Sequence, residues 1–238
     1  DFNSNNIWGT NVPSGFRIGK DGNTANVTIS SAVTTTGTIE AYGGTVTASA
    51  NLTVNTSTSA AILLKGTQDV LVGAGTNTTT RRTLQTNGGA ITLWSNSDAS
   101  GSGAIQLGNF SKLVSNGGAI TLAGSAAAND ASPTGYAKNN GTTYANGVEI
   151  GTSVQAGNVD LLSSGGDITI KGYTNANTQL MMGIRNWSGS TINSGTGAIT
   201  MDGQAESCTG SITCHGLELS YSSGATTTVT SAKTSGTA

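Results

Sequence analysis

Most of this chain is written in short blocks where apolar and polar residues alternate singly, each opened by glycine or another small residue. The clearest are Gly88-Gly89-Ala90-Ile91-Thr92-Leu93, Gly117-Gly118-Ala119-Ile120-Thr121-Leu122 and Gly165-Gly166-Asp167-Ile168-Thr169-Ile170, with Gly197-Ala198-Ile199-Thr200-Met201 as a fourth. Looser copies are Gly103-Ala104-Ile105-Gln106-Leu107, Gly157-Asn158-Val159-Asp160-Leu161 and Gly210-Ser211-Ile212-Thr213-Cys214. The N-terminal part repeats the alternation without the glycine pair, in Asn26-Val27-Thr28-Ile29, Thr45-Val46-Thr47-Ala48, Asn51-Leu52-Thr53-Val54 and Asp69-Val70-Leu71-Val72. A period of two predicts strands of about four to six residues, with Ile, Val and Leu on one face and Thr, Gln or Asp on the other. The glycines supply backbone angles that a Cβ would forbid. No stretch carries the pattern of an amphipathic helix.

The spacing of the blocks selects an architecture. Ile91 and Ile120 are 29 residues apart, Ile168 and Ile199 are 31 apart, and the 48-residue step from Ile120 to Ile168 holds an insertion. Irregular self-similarity on this scale marks solenoids and propellers. Propeller blades carry repeated aromatic signatures, which this chain lacks. The expected fold is therefore all-β, a right-handed parallel β-helix with short irregular loop excursions and two or three strands per coil. Coils of roughly 20 to 30 residues give about eight to twelve of them, and a rod roughly 40 to 55 Å long. Residues 25–238 read as the shaft. Excursions are expected near 124–146, around Pro133, Tyr136 and Tyr144, and near 172–190, around Tyr173, Met181, Met182 and Trp187. Residues 1–24, with Phe2, Trp8, Pro13 and Phe16, read as a cap or an inter-subunit segment.

Composition separates this reading from disorder. Only 9% of residues are charged and the net charge is −2, while Gly supplies 35 residues. Disordered chains combine high net charge with few β-branched residues, and here Val, Ile and Thr recur throughout. Stacked coils disfavour charge, because identical residues on neighbouring strands face each other. The scattered basic residues, with Arg81-Arg82 the one adjacent pair, do not form a phosphate-binding surface, so no nucleic-acid partner is expected. No run approaches the roughly 20 apolar residues of a membrane helix, and no membrane insertion is expected. The chain opens at Asp1 with no recognisable signal peptide, which reads as a mature form or an excised piece. Cys208 and Cys214 either close a small turn as a disulfide, suiting an oxidising compartment, or remain two buried thiols.

The phrases Asn87-Gly88-Gly89-Ala90-Ile91-Thr92-Leu93 and Ser164-Gly165-Gly166-Asp167-Ile168-Thr169-Ile170, with the Thr/Ser/Asn/Gly-rich stretches between them, resemble the filamentous-haemagglutinin-like exoproteins. These are large β-helical adhesins exported by two-partner secretion or autotransporter routes. The resemblance runs loosely over residues 25–230, and an Asn-Pro-Asn-Gly secretion motif is absent. It implies a right-handed β-helix shaft at the bacterial cell surface or outside the cell, with a role in adhesion or filament building. It names no ligand.

Little chemistry converges. His215 is the single histidine, and adjacent strand positions place it and Cys214 on opposite faces, with Glu218 nearby. Cys208, Cys214 and His215 lack the spacing and the fourth ligand of a zinc site. Asp160, Asp167 and Asp202 sit in separate strand phrases and would serve a polysaccharide-cleaving β-helix only if they align. No enzymatic activity and no cofactor are expected. The leading expectation is a structural or adhesive segment that assembles end to end, with Phe2, Trp8 and Phe16 as assembly contacts. The alternative is carbohydrate binding or cleavage, with Tyr136, Tyr144, Tyr173 and Trp187 as contacts for a glycan or host-surface ligand. A third reading is ice binding by the Thr triplets Thr34-Thr35-Thr36, Thr45-Val46-Thr47, Thr78-Thr79-Thr80 and Thr226-Thr227-Thr228.

Overall fold

Single alternation with an apolar inner face needs something to close over that face, and stacking one turn of chain on the next provides it. The structure, a computed structural model, describes residues 12–56, 59–139, 146–175, 181–187, 189–206, 214–219 and 224–234. The described residues are all strand, turn and loop, with no helix.

The first coil comprises β1 (Phe16–Ile18), β2 (Val27–Ile29) and β3 (Val33–Thr35), and the second β4 (Ile39–Gly43), β5 (Val46–Ala48) and β6 (Leu52–Val54). The third comprises β7 (Ile62–Gly66), β8 (Val70–Val72) and β9 (Arg82–Gln85), and the fourth β10 (Ile91–Ser95), β11 (Ile105–Leu107) and β12 (Ser111–Val114). The fifth adds a short extra strand: β13 (Ile120–Gly124), β14 (Ala137–Lys138), β15 (Val148–Ile150) and β16 (Asp160–Leu162). The sixth comprises β17 (Ile168–Thr174), β18 (Met181–Asn186) and β19 (Thr191–Gly195), and the last β20 (Ile199–Ala205), β21 (Cys214–Glu218) and β22 (Thr228–Ser231). Each strand lies over its counterpart one coil earlier, giving three sheets in which every strand pair is parallel. The fold is a parallel β-helix.

Register makes the inner columns explicit. Phe16, Ile39, Ile62, Ile91, Ile120, Ile168 and Ile199 stack in the first sheet. Val27, Val46, Val70, Ile105, Val148, Ile184 and Leu217 stack in the second, and Val33, Leu52, Leu84, Leu113, Leu161, Ile192 and Val229 in the third. Nearly all of these belong to one buried cluster. Each buried Val, Leu or Ile contributes roughly 1.5–3 kcal/mol, so the columns are the main favourable term holding the coils together.

The glycine phrase has a second component that alternation does not reveal. The hydroxyls of Thr86, Ser115, Ser163 and Ser194 are buried, and each donates to the carbonyl of the glycine three residues on, at 2.5, 2.5, 2.5 and 2.6 Å. These hydroxyls stack coil upon coil at the corner that leads into the first sheet. Ser115→Ala leaves the carbonyl of Gly118 without this donor in a dry corner, a loss of about 1–2 kcal/mol. A urea midpoint unchanged by Ser115→Ala would show that the corner does not depend on the hydroxyl.

Three expectations are corrected. There are seven coils among the described residues rather than about eight to twelve. The steps in the first sheet lengthen from 23 residues (Phe16 to Ile39) to 48 (Ile120 to Ile168), because loops absorb chain that a uniform coil length would have counted as strand. Phe16 is buried at the head of the first inner column, and its strand pairs with β4, so the shaft begins inside residues 1–24. Within the excursion expected at 172–190, residues 172–174 belong to β17 and 181–186 form β18, so these stretches are shaft, and 176–180 and 188 lie outside the described residues. All six residues of β18 are buried, so alternation vanishes where both faces are covered.

Of the excursion expected at 124–146, residues 125–134 leave the shaft, and residues 140–145 lie outside the described residues. An antiparallel bridge joins Gly124 to Gly135, and β14 then pairs with Gly172 and Tyr173 of β17. The Asp130 carboxylate organises the tip by accepting from the Ala126 and Ala127 amides (2.8 and 3.1 Å) and the Thr134 hydroxyl (2.8 Å), which holds its carboxyl below the usual range.

Candidate functional site

β17 and β20 are seven residues long, and their extra length widens the first sheet next to β14. Alternation carries on through the extension. Ala137 and Gly172 are buried, and Lys138, Lys171, Tyr173, Asp202 and Gln204 take the positions with more exposure. Lys171 pairs in register with Asp202, while Lys138, Tyr173 and Gln204 form one row across β14, β17 and β20.

The outer side chains are tied to one another. Tyr136 Oη donates to Asp202 Oδ2 at 2.6 Å and accepts from Gln204 Nε2 at 2.5 Å. Tyr173 Oη donates to Glu206 Oε2 at 2.7 Å. Donation to a carboxylate pushes both phenols above their ordinary pKa, Tyr136 through Asp202 and Tyr173 through Glu206. Lys171 Nζ lies 5.9 Å from the centre of the Tyr136 ring and also donates to the Thr134 carbonyl at 3.0 Å. Lys138 Nζ lies 6.0 Å from the centre of the Tyr173 ring. Ser102, Tyr136, Lys138, Asn139, Tyr173 and Gln204 line a groove of about 640 Å³. Beside it Asn139 is buried, its Nδ2 donating to Thr174 Oγ1 at 2.6 Å.

Two of the four aromatic residues singled out from sequence, Tyr136 and Tyr173, thus share one groove. Trp187 does not join them. It follows β18 in the second sheet, where its Nε1 donates to Glu149 Oε1 at 2.6 Å and the Arg185 guanidinium stacks 3.8 Å from its ring centre. Arg185 Nε lies 3.2 Å from Glu218 Oε2, so Trp187 belongs to a charged ladder on another face. Tyr144, Phe2, Trp8 and Cys208 lie outside the described residues. Cys214 is disulfide-bonded.

The three aspartates do not converge, and each has a separate structural partner. Asp160 of β16, in the third sheet, lies 3.3 Å from Arg81 Nη1. Asp167 Oδ1 accepts from the Ala198 amide of the next coil at 2.7 Å, and Asp202 receives the Tyr136 hydroxyl. Among the described residues no group of three or more His, Cys, Asp or Glu is placed to hold a metal ion. The Thr triplets fall on β3, on β5, in the loop after β8 and at β22, and none stacks on another. Among the described residues the longest threonine file is Thr92, Thr121, Thr169 and Thr200 on the outside of the first sheet, beside the isolated pairs Thr28–Thr47, Thr34–Thr53 and Thr191–Thr228.

Lys138, Gln204 and the Tyr136–Asp202 pair escaped the sequence reading. A signal for part of the site was present. Ile168-Thr-Ile-Lys-Gly-Tyr-Thr174 and Ile199-Thr-Met-Asp-Gly-Gln-Ala205 match in pattern through seven positions, which puts Lys171 beside Asp202 and Tyr173 beside Gln204. Comparison of the chain with family models, with curated proteins and with solved structures found no match.

Proposed function

We propose that this chain is a structural or adhesive shaft segment of an exported bacterial surface protein, of the filamentous-haemagglutinin-like kind, working outside the cell by coil stacking and display rather than by catalysis. The observation that carries this reading is the state of the last coil. In the second and third inner columns Ile184 and Ile192 are fully buried, yet the residues stacked on them, Leu217 and Val229, are 37% and 42% exposed. In the described residues β20, β21 and β22 each pair on one side only, beside these apolar positions. Open edges beside apolar surface recruit another strand layer.

The occupant we assign is the first coil of a second copy. Among the described residues its β1, β2 and β3 also pair on one side only and head the same three columns, with Phe16, Val27 and Val33 all buried there. Such a head-to-tail contact does not close on itself and so produces a filament. The disulfide at Cys214 suits the oxidising compartment this location implies.

Sedimentation velocity tests the reading. The wild-type chain is expected to give concentration-dependent, elongated oligomers. A Leu217→Asp, Val229→Asp double variant, folded by circular dichroism, is expected to stay monomeric. A wild type that is monomeric across the whole concentration range removes the stacking reading.

A further inference from the structure

We infer that the groove between Tyr136 and Tyr173 is a binding site for a neutral oligosaccharide. It lies on the outer side of the first sheet, so occupancy needs no stacked neighbour, and the inference stands or falls independently of assembly.

Four features point to this ligand class. Both rings are held by their own hydroxyls, Tyr136 on Asp202 at 2.6 Å and Tyr173 on Glu206 at 2.7 Å, so aromatic surface is presented with little rotamer freedom left to lose on binding. A pyranose ring has a face of C–H bonds that packs on such a ring and a rim of hydroxyls that needs hydrogen-bonding partners. The rim partners are at hand, since the groove wall carries the Lys138 ammonium and the exposed side-chain amide of Gln204. The two cations, Lys138 and Lys171, are balanced by Asp202 and Glu206 in the same patch, which removes the net field that would select a polyanion or polycation. The volume, about 640 Å³, falls within the range of sites that take a small organic ligand and accommodates about two sugar units of a longer chain.

Asp202 then acts twice. It fixes the Tyr136 hydroxyl, and because that hydroxyl also accepts from Gln204 it orients the amide that faces the ligand. Tyr173 carries the stacking contact, and Gln204, its neighbour in register on β20, carries a hydrogen bond to the sugar rim.

The test is a glycan array of neutral hexose and N-acetylhexosamine oligosaccharides beside uronate-containing ones, followed by isothermal titration with the best neutral hit. The wild-type chain is expected to bind a neutral oligosaccharide. Tyr173→Ala is expected to weaken binding by about tenfold or more, and Tyr173→Phe, which keeps the ring and releases Glu206, to weaken it less. Trp187→Ala, on a different sheet, should bind as wild type. The proposal is overturned if no neutral glycan binds, if only uronates bind, if folded Tyr173→Ala binds as tightly as wild type, or if Trp187→Ala abolishes binding.

Discussion

Gly118→Ala is expected to lower the free energy of unfolding by about 3 kcal/mol, the upper end of the range for forcing atoms into a packed site. A Cβ at Gly118 would stand inside contact distance of the Gly89 carbonyl in the coil beneath, and that backbone is itself held in a corner by the Thr86 hydroxyl. Nothing there is the movable end of a side chain, so the coils must separate locally. Gly117→Ala is the internal control. Gly117 has a φ of 113° and open space where its Cβ would go, so alanine there meets only backbone strain, about 1–2 kcal/mol. Urea unfolding of both variants separates the two roles of adjacent glycines. Equal midpoints for the two would mean that close approach between coils is not what the second glycine serves.

Ile120→Ala is expected to cost about 4 kcal/mol, typical of deleting a buried branched side chain from a core that cannot collapse. Ile120 is fully buried between Ile91 and Ile168 in register. The gap cannot close, because the spacing of the coils is fixed by the backbone hydrogen bonds on either side at about 4.8 Å. Ile199→Ala, in the same column at the last coil, removes a side chain that is only partly buried, and is expected to cost about half as much. Chemical denaturation of the two variants reads the difference. Equal losses would contradict a column that is dry in the middle and open at the last coil.

The strands and the apolar columns were legible because a solenoid reuses one solution. Alternation placed Ile91, Ile120, Ile168 and Ile199 inward, and aligning their phrases already gives the register the structure has. The third sheet was harder to read. β9 and β12 begin with Arg82 and Ser111, without a glycine pair, and their inner residues Leu84 and Leu113 have no phrase around them. The corner hydroxyls were visible as letters, since Thr86, Ser115, Ser163 and Ser194 each stand three residues before a glycine. Their role depends on burial, which no local pattern reports. β18 was misread for a physical reason: a strand covered on both faces has no alternation to detect. Of the groove, Tyr173 and Gln204 follow from aligning two seven-residue strands. Tyr136 meets Asp202 only because the loop over residues 125–134 brings the chain back beside β17 as β14, and nothing in the spacing reveals that return.

We propose that the last described coil of this β-helical shaft takes another coil. Cryo-electron microscopy of the purified wild-type chain over a range of concentrations tests it most directly. The account predicts unbranched rods one β-helix wide, lengthening with concentration, with a rise of about 4.8 Å running unbroken through each junction between copies. Isolated single-copy rods at every concentration, or pairs joined side by side with the Leu217 and Val229 end left open, would contradict it.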